Sequence, residues 1–220
     1  MSEFLPLMID LHEKEIVIFG GGEVGERKAT LFCEHAKVKV VSKEFTPGLD
    51  RFHKEGKIEL IKVNDIGENE IASFLNNAFI VIPATNDLVF NEKIATIAKG
   101  RGIFINRVDD IGDIIIPSVI RRSDIVIGIS TGGQSPALSK FIRRKIEEVI
   151  SPEFALMSRL QNEIREKLKS MVDDQKKRKY ILWNIINDND VWNAFAESYE
   201  KAYMVASKHI GQNENMDRNN

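Results

Sequence analysis

The stretch from Ile16 to Lys28, Ile-Val-Ile-Phe-Gly-Gly-Gly-Glu-Val-Gly-Glu-Arg-Lys, constrains this chain more than any other. Residues 16–19 form a short apolar run that reads as a buried strand. Gly20, Gly22 and Gly25 follow in G-x-G-x-x-G spacing, and a helical pattern begins at Glu23. The first glycine permits a tight turn and the second lets backbone approach a pyrophosphate. The third lets the helix pack closely on the strand. The helix N-terminus then offers N–H groups and a partial positive charge to phosphates. This pattern predicts a dinucleotide site that includes Gly20, Gly22, Glu23, Val24 and Gly25. The alternative is a tight strand–helix turn with no ligand.

Strands and helices alternate from there. Residues 37–42, 58–63, 78–82 and 102–106 read as further strands. Helices are expected over 23–35, from Thr46-Pro47 to about 55, over 68–76 and over 87–99. The last of these points Leu88, Ile94, Ala95 and Ala98 inward. Thr46-Pro47 is a cap followed by a proline in the first helical turn, and Gly56 ends that helix. Such alternation predicts an α/β fold with a parallel, doubly wound sheet of Rossmann type. Ahead of it, residues 5–11, with Pro6, read as an edge segment.

After Val108 the pattern changes. Residues 114–116 and 125–130 are two β runs with no long helix between them, a layout for antiparallel pairing within the chain or across a dimer. Ser135-Pro136 repeats the cap-plus-proline device and opens a helix to Ile150, and Ser151-Pro152 opens another. That helix carries Phe154, Met157, Leu160, Ile164 and Leu168 on one face. A final helix puts Trp192, Phe195, Tyr199 and Ala202 or Tyr203 on one stripe. From Lys208 the chain is polar and is expected to fray.

A chain of 220 residues that is 43% hydrophobic can bury a full core. Its net charge of −2 gives the whole molecule no electrostatic pull toward nucleic acid or membrane. The single cysteine, Cys33, excludes an internal disulfide and suits a reducing compartment. It shares helical spacing with Ala29, Phe32 and Ala36 and reads as core. Residues 1–14 lack the shape of a signal peptide, and no apolar run approaches the ~18 residues of a membrane span. The chain is expected to be soluble and cytoplasmic. His12, His35, His53 and His209 fall outside every candidate loop, so no His-based metal site is expected.

Four segments carry candidate chemistry. The second strand ends in Ser42-Lys43 where a nucleotide fold commonly has Asp or Glu for the ribose. Ser42 suits a free 2′-hydroxyl and Lys43 a 2′-phosphate, which leaves NAD and NADP both open. Ala84, Thr85 and Asn86 follow the fourth strand, where small residues leave room for a cofactor. Asn106 and Asp109 follow the fifth, beside the nicotinamide end. A carboxylate there can take a proton or hold a cation; the alternative is a solvated turn. Finally, Arg121, Arg122, Lys140, Arg143, Arg144 and Lys145 face Asp124 alone between positions 121 and 145, a local charge of +5. Within that segment Thr131, Gly132, Gly133 and Ser135 precede a helix N-terminus and suit carboxylates or phosphates. Phe141 is the only aromatic residue nearby, so stacking on nucleic-acid bases is not expected.

Together these segments resemble a family. The marks are Leu5-Pro6-Leu7, the run from Gly20 to Ala29, residues 84–87, Asn106-x-Val108-Asp109, Ile116-Pro117-Ser118 and the Ser-Thr-Gly-Gly-Gln-Ser-Pro run from Ser130 to Pro136. In that order and spacing they resemble precorrin-2 dehydrogenase, the N-terminal part of siroheme synthase, over about residues 4–150. The resemblance implies oxidation of precorrin-2 to sirohydrochlorin with NAD as cofactor and Asp109 as the catalytic aspartate. Some members also insert ferrous iron, as a substrate, to give siroheme. It further implies a homodimer formed after the nucleotide-binding domain. A carboxylate-rich tetrapyrrole would be met by Asn106, Arg121, Arg122, Thr131, Gly132, Gly133, Ser135, Lys140 and Arg144.

Arg107 and Asp110 put more charge beside Asp109 than the family pattern suggests. The 220 residues contain no methyltransferase region like that of the trifunctional members. The expected organisation is a Rossmann domain at 1–110 and a small α+β dimerisation and substrate region at 111–150. A helical domain at 151–208 and a disordered tail at 209–220 complete it.

The competing reading is a regulatory nucleotide-binding module of potassium-transport type, without catalysis. Such modules combine G-x-G-x-x-G with a Thr-x-Asp-x-x-Asn run, to which Thr85, Asp87 and Asn91 come close. They keep an acidic residue after the second strand and lack the Ser-Thr-Gly-Gly-Gln-Ser-Pro loop.

Overall fold

Parallel strands rich in Val and Ile carry the first half of the chain, as a computed structural model that describes residues 4–108 and 112–217 shows. In the last helix, side chains are described as far as Ile210. The strands are β1 (Glu15–Phe19), β2 (Lys37–Ser42), β3 (Glu59–Lys62), β4 (Ala78–Pro83) and β5 (Phe104–Ile105). They pair in the order β3-β2-β1-β4-β5, every pair parallel. Parallel neighbours need crossovers, which α1 (Glu23–Phe32), α2 (Pro47–Lys54), α3 (Glu68–Phe74) and α4 (Leu88–Lys99) supply.

Alternate residues of β1 divide between two cores, as a period of two requires. Ile16 and Ile18 pack with Ala29, Phe32 and Leu49 under α1 and α2. Val17 and Phe19 pack with Ile71, Ile94 and Ala98 under α3 and α4. The strand order reverses between β1 and β4. Crevices at the carboxyl ends of strands beside such a reversal are where open sheets bind ligands. Thr46 caps α2 by accepting from the Leu49 amide at 3.4 Å, and Gly56 closes it at φ +71°. Cys33 is half-buried beside the α1 core, and burial pushes its thiol pKa up, which makes a reactive thiolate unfavourable.

This first unit runs to Ile116 and includes Gly132–Gln134; the second comprises Pro117–Thr131 and the chain from Ser135. The second unit begins with an antiparallel hairpin, β6 (Ser118–Arg122) and β7 (Ile125–Ile129), with Ile120 opposite Ile127. Five helices follow: α5 (Pro136–Val149), α6 (Glu153–Lys169), α7 (Gln175–Asn187), α8 (Asn189–Ala194) and α9 (Tyr199–Asp217). Met157, Leu160, Ile164 and Leu168 of α6 form one stripe, packed on Ile181, Ile185, Val191, Ala202 and Ala206. Leu160→Ala is expected to cost about 2–5 kcal/mol of stability, read as a lower denaturant midpoint by helical circular dichroism. A loss under about 1 kcal/mol would mean that this core collapses around the gap. Among the described residues no helix is long and apolar enough to cross a membrane.

Several expectations need correction. Residues 5–11 form no strand, and Leu5 is 76% exposed. The run at 114–116 is not a strand either; Ile114 and Ile116 pack against the α1–α2 core, and antiparallel pairing starts after Pro117. Leu88 points outward at 65% exposure. The Asp87 cap on the Phe90 amide sets a helix phase that turns Asn91 inward in its place, beside Ile94, Ala95 and Ala98 as expected. The single last helix is two, α8 and α9, because the Ser198 hydroxyl caps a new start at the Lys201 amide. α9 continues to Asp217, past the point where fraying was expected. Ile210 is buried, and the His209 ring meets the Asp188 carboxylate at 2.7 Å. That bond holds the Asp188 carboxyl below the usual carboxylate range.

Candidate active site

The carboxyl ends of β1 and β4 force the backbone of the glycine turn. Gly20 lies at φ +123°, and a Cβ there would run into the Ala84 carbonyl. A Cβ on Gly25 would meet the Gly20 carbonyl, so α1 packs on the turn at backbone distance. Gly21, which the motif leaves free, is equally constrained, because the Glu44 carbonyl occupies its Cβ position. Gly22 differs from all three. It is the N-cap of α1, makes no side-chain cap bond, and has nothing within 4 Å of the place a Cβ would take. The helix N-terminus therefore opens onto space.

That space is a cleft of about 690 Å³ lined by residues 20–22, 42–46 and 84–87, together with Val63, Asp65 and Ile66. Its size falls in the range of small-molecule sites. A positive helix end, a glycine turn and a cleft over the strand reversal fit a dinucleotide. Gly20, Gly22, Ser42, Lys43, Ala84, Thr85 and Asn86, the residues expected at the cofactor, all border it. Glu23, Val24 and Gly25 lie in the first turn of α1 and are not among its lining residues. Glu44 and Asp65 are. Glu44 lies two residues past β2 and Asp65 three residues past β3.

Thr85 is held by Asn91 through its backbone as well as its hydroxyl, and its amide donates to Asn91 Oδ1 at 3.1 Å. Its Oγ1 bonds Asn91 Oδ1 at 2.7 Å, and Asn91 Nδ2 donates to the Thr85 carbonyl at 2.9 Å. The Thr85, Asp87 and Asn91 run thus locks the β4–α4 turn.

Beyond β5, Asn106 is only 5% exposed. Its Oδ1 accepts from Lys28 Nζ at 2.7 Å and its Nδ2 donates to the Ile114 carbonyl at 3.0 Å. Both ends of the Asn106 amide, which was expected at the substrate, thus bond to protein. Asp109 and Asp110 lie outside the described residues.

In the second unit the basic residues divide. Arg121, Lys140 and Arg144 are exposed. Arg122 is tied to the chain, donating to the Ile150 carbonyl at 3.2 Å and the Arg121 carbonyl at 3.1 Å. Arg143 pairs with Glu147 at 2.8 Å. Thr131 Oγ1 accepts from the Ser135 amide at 3.0 Å, and Ser135 Oγ caps α5 at the Leu138 amide. Arg122, Thr131 and Ser135, expected at the substrate, therefore have framework bonds. Gly132 and Gly133 hold φ of +62° and +82°, a turn that favours glycine.

Two family models match the chain. The family model described as putative NAD(P)-binding matches residues 7–118, and that of the sirohaem biosynthesis protein central region matches 124–148. The chain is 46% identical to a precorrin-2 dehydrogenase of Methanosarcina barkeri over 95% of its own length and 96% of the relative's. It is 32% identical to a siroheme synthase of Photorhabdus laumondii over 80% of its length, and spans 37% of that longer protein. A solved structure, SirC, precorrin-2 dehydrogenase, superposes with a TM-score of 0.73 at 22% identity, covering 96% of this chain and 100% of that one. At that identity the likeness bears on the fold.

Proposed function

The chain belongs to the precorrin-2 dehydrogenase family, and on that premise we propose that it oxidises precorrin-2 to sirohydrochlorin with NAD. One observation carries the reading: 46% identity to a precorrin-2 dehydrogenase over 95% of the chain. The open α1 N-terminus in its cleft supports it. NAD, when bound, accepts the hydride. The chain's own residues do the rest. The Gly20–Gly22 backbone receives the pyrophosphate, while Ser42 and Lys43, joined by Glu44 and Asp65, frame the ribose end. Two carboxylates against one lysine favour a free 2′-hydroxyl over a 2′-phosphate. Asp109 takes the proton that leaves with the hydride. The test is NADH formation from purified protein and precorrin-2, with NADP in parallel; no NADH formed would overturn the reading.

The exposed cations Arg121, Lys140 and Arg144 meet the tetrapyrrole carboxylates, with Gly132 and Gly133 offering backbone. Arg121→Gln combined with Arg144→Gln should raise KM for precorrin-2 several-fold, leave KM for NAD unchanged and weaken the salt dependence. Equal effects on both substrates would make these cations structural. Val119, Leu138, Phe141 and Val149 are exposed apolar residues on β6 and α5, and they suit a homodimer formed by residues 111–150. Light scattering at micromolar concentration tests this, and a monomer refutes it. Ferrous iron insertion into sirohydrochlorin is a second step in the same reading, checked by a chelatase assay. The reading puts the protein in the cytoplasm.

The regulatory-module alternative depends on Thr85, Asp87 and Asn91, and their bonds within the β4–α4 turn account for that run without a regulatory role.

A further inference from the structure

We propose that Lys28 is a positioning residue for the catalytic segment: through Asn106 it clamps the base of the connection that carries Asp109. The inference rests on the dehydrogenase reading for the role of Asp109, but the clamp itself is local geometry. The chain leaves the sheet after β5 and is back beside it at Ile114. Four features close that return. Asn106 Nδ2 donates to the Ile114 carbonyl at 3.0 Å, and the Ile114 amide donates to the Ile105 carbonyl at 3.3 Å. The Ile105 amide donates to Asp113 Oδ2 at 3.2 Å. Gly112 lies so close to the Ile105 carbonyl that a Cβ would collide with it.

Asn106 decides whether this knot holds, because a side-chain amide can rotate to present either end. Lys28 removes that freedom. An ammonium can only donate, so at 2.7 Å it selects Oδ1 and leaves Nδ2 aimed at Ile114. The contact spans the sheet fold, with Lys28 on α1 and Asn106 beyond β5. Burial holds the Lys28 ammonium below the usual lysine range, and Arg27 adds to the effect. The half-buried Lys28 ammonium spends a donor on a buried neutral amide, and that bond fixes which end of the amide faces Ile114.

The experiment compares Lys28→Met, Lys28→Arg, Asn106→Leu and the Lys28→Met/Asn106→Leu pair in the full chain. Lys28→Met should lower kcat roughly 10- to 100-fold through a displaced base, with both KM values and NAD affinity unchanged. Lys28→Arg, which still only donates, should recover most of it. The double variant should be no worse than the poorer single one, because both break the same link. Amide hydrogen exchange supplies a readout free of activity: Ile105 and Ile114 should lose protection in Lys28→Met while β1 and β2 keep theirs. Should Lys28→Met fail to fold, Lys28→Gln takes its place. Additive losses, a rise in KM for precorrin-2 with kcat intact, or unchanged exchange at Ile105 and Ile114 would each overturn the clamp. Wild-type protein that forms no NADH would defeat the dehydrogenase reading instead, while the exchange measurement would still judge the clamp.

Discussion

Asp109→Asn is expected to slow precorrin-2 oxidation by about 10²–10⁴-fold, the usual worth of general-base assistance. Dehydrogenation removes a hydride and a proton, and the proton needs an acceptor near the nicotinamide. The chain leaves the sheet at β5, beside β4, and Asp109 comes four residues after Ile105 in the sequence. Asparagine preserves size and loses the base, so NAD affinity should stay as it was. Asp110→Asn is the internal control and should have the smaller effect. A large loss in Asp110→Asn with near-normal Asp109→Asn would move the assignment by one residue. No loss in either would assign the proton to water and leave both carboxylates without a part in the chemistry. If ferrous iron is inserted at the same place, the chelatase rate should fall with the dehydrogenase rate in Asp109→Asn.

The second large effect separates binding from folding. Gly22→Asp should abolish NAD binding in a protein at least as stable as the parent. Two features make this unusual pairing expected. Nothing lies within 4 Å of a Cβ at Gly22, so a side chain enters without collision. Gly22 is also the N-cap of α1 and makes no cap bond, a place where aspartate is among the favoured residues. The same carboxylate then occupies the ground of the pyrophosphate. Like charges about 4 Å apart at a protein surface repel by about 4 kcal/mol, close to a 10³-fold loss of affinity. Gly20→Ala is the counter-case. It would combine a backbone at φ +123° with a collision at the Ala84 carbonyl, so it should lower the melting temperature whether or not NAD is present. Calorimetric titration with NAD and a thermal melt on each variant check both. Undiminished NAD affinity in a folded Gly22→Asp protein would remove the glycine turn from the site.

Local chemistry was legible in the sequence because it acts over a few residues. The strand–glycine–helix turn, the Thr46-Pro47 cap, the Ser135-Pro136 start and the α6 stripe all depend on neighbours within about one or two helical turns, so spacing alone predicts them. The parallel sheet followed from alternation, since parallel strands require crossovers. Tertiary structure decided the rest. Nothing near Gly21 in the chain announces the Glu44 carbonyl that forbids it a side chain. Glu44 and Asp65 share a cleft only because β2 and β3 pair side by side and bring their following loops together. The apolar run at 114–116 reads as a strand until the α1–α2 core claims its isoleucines. Lys28 and Asn106 stand 78 residues apart and meet at 2.7 Å. A sequence pattern reports what a residue prefers from its neighbours along the chain. Which donor finds which acceptor across the sheet depends on strand order and helix placement, and those come from burying the whole apolar surface at once.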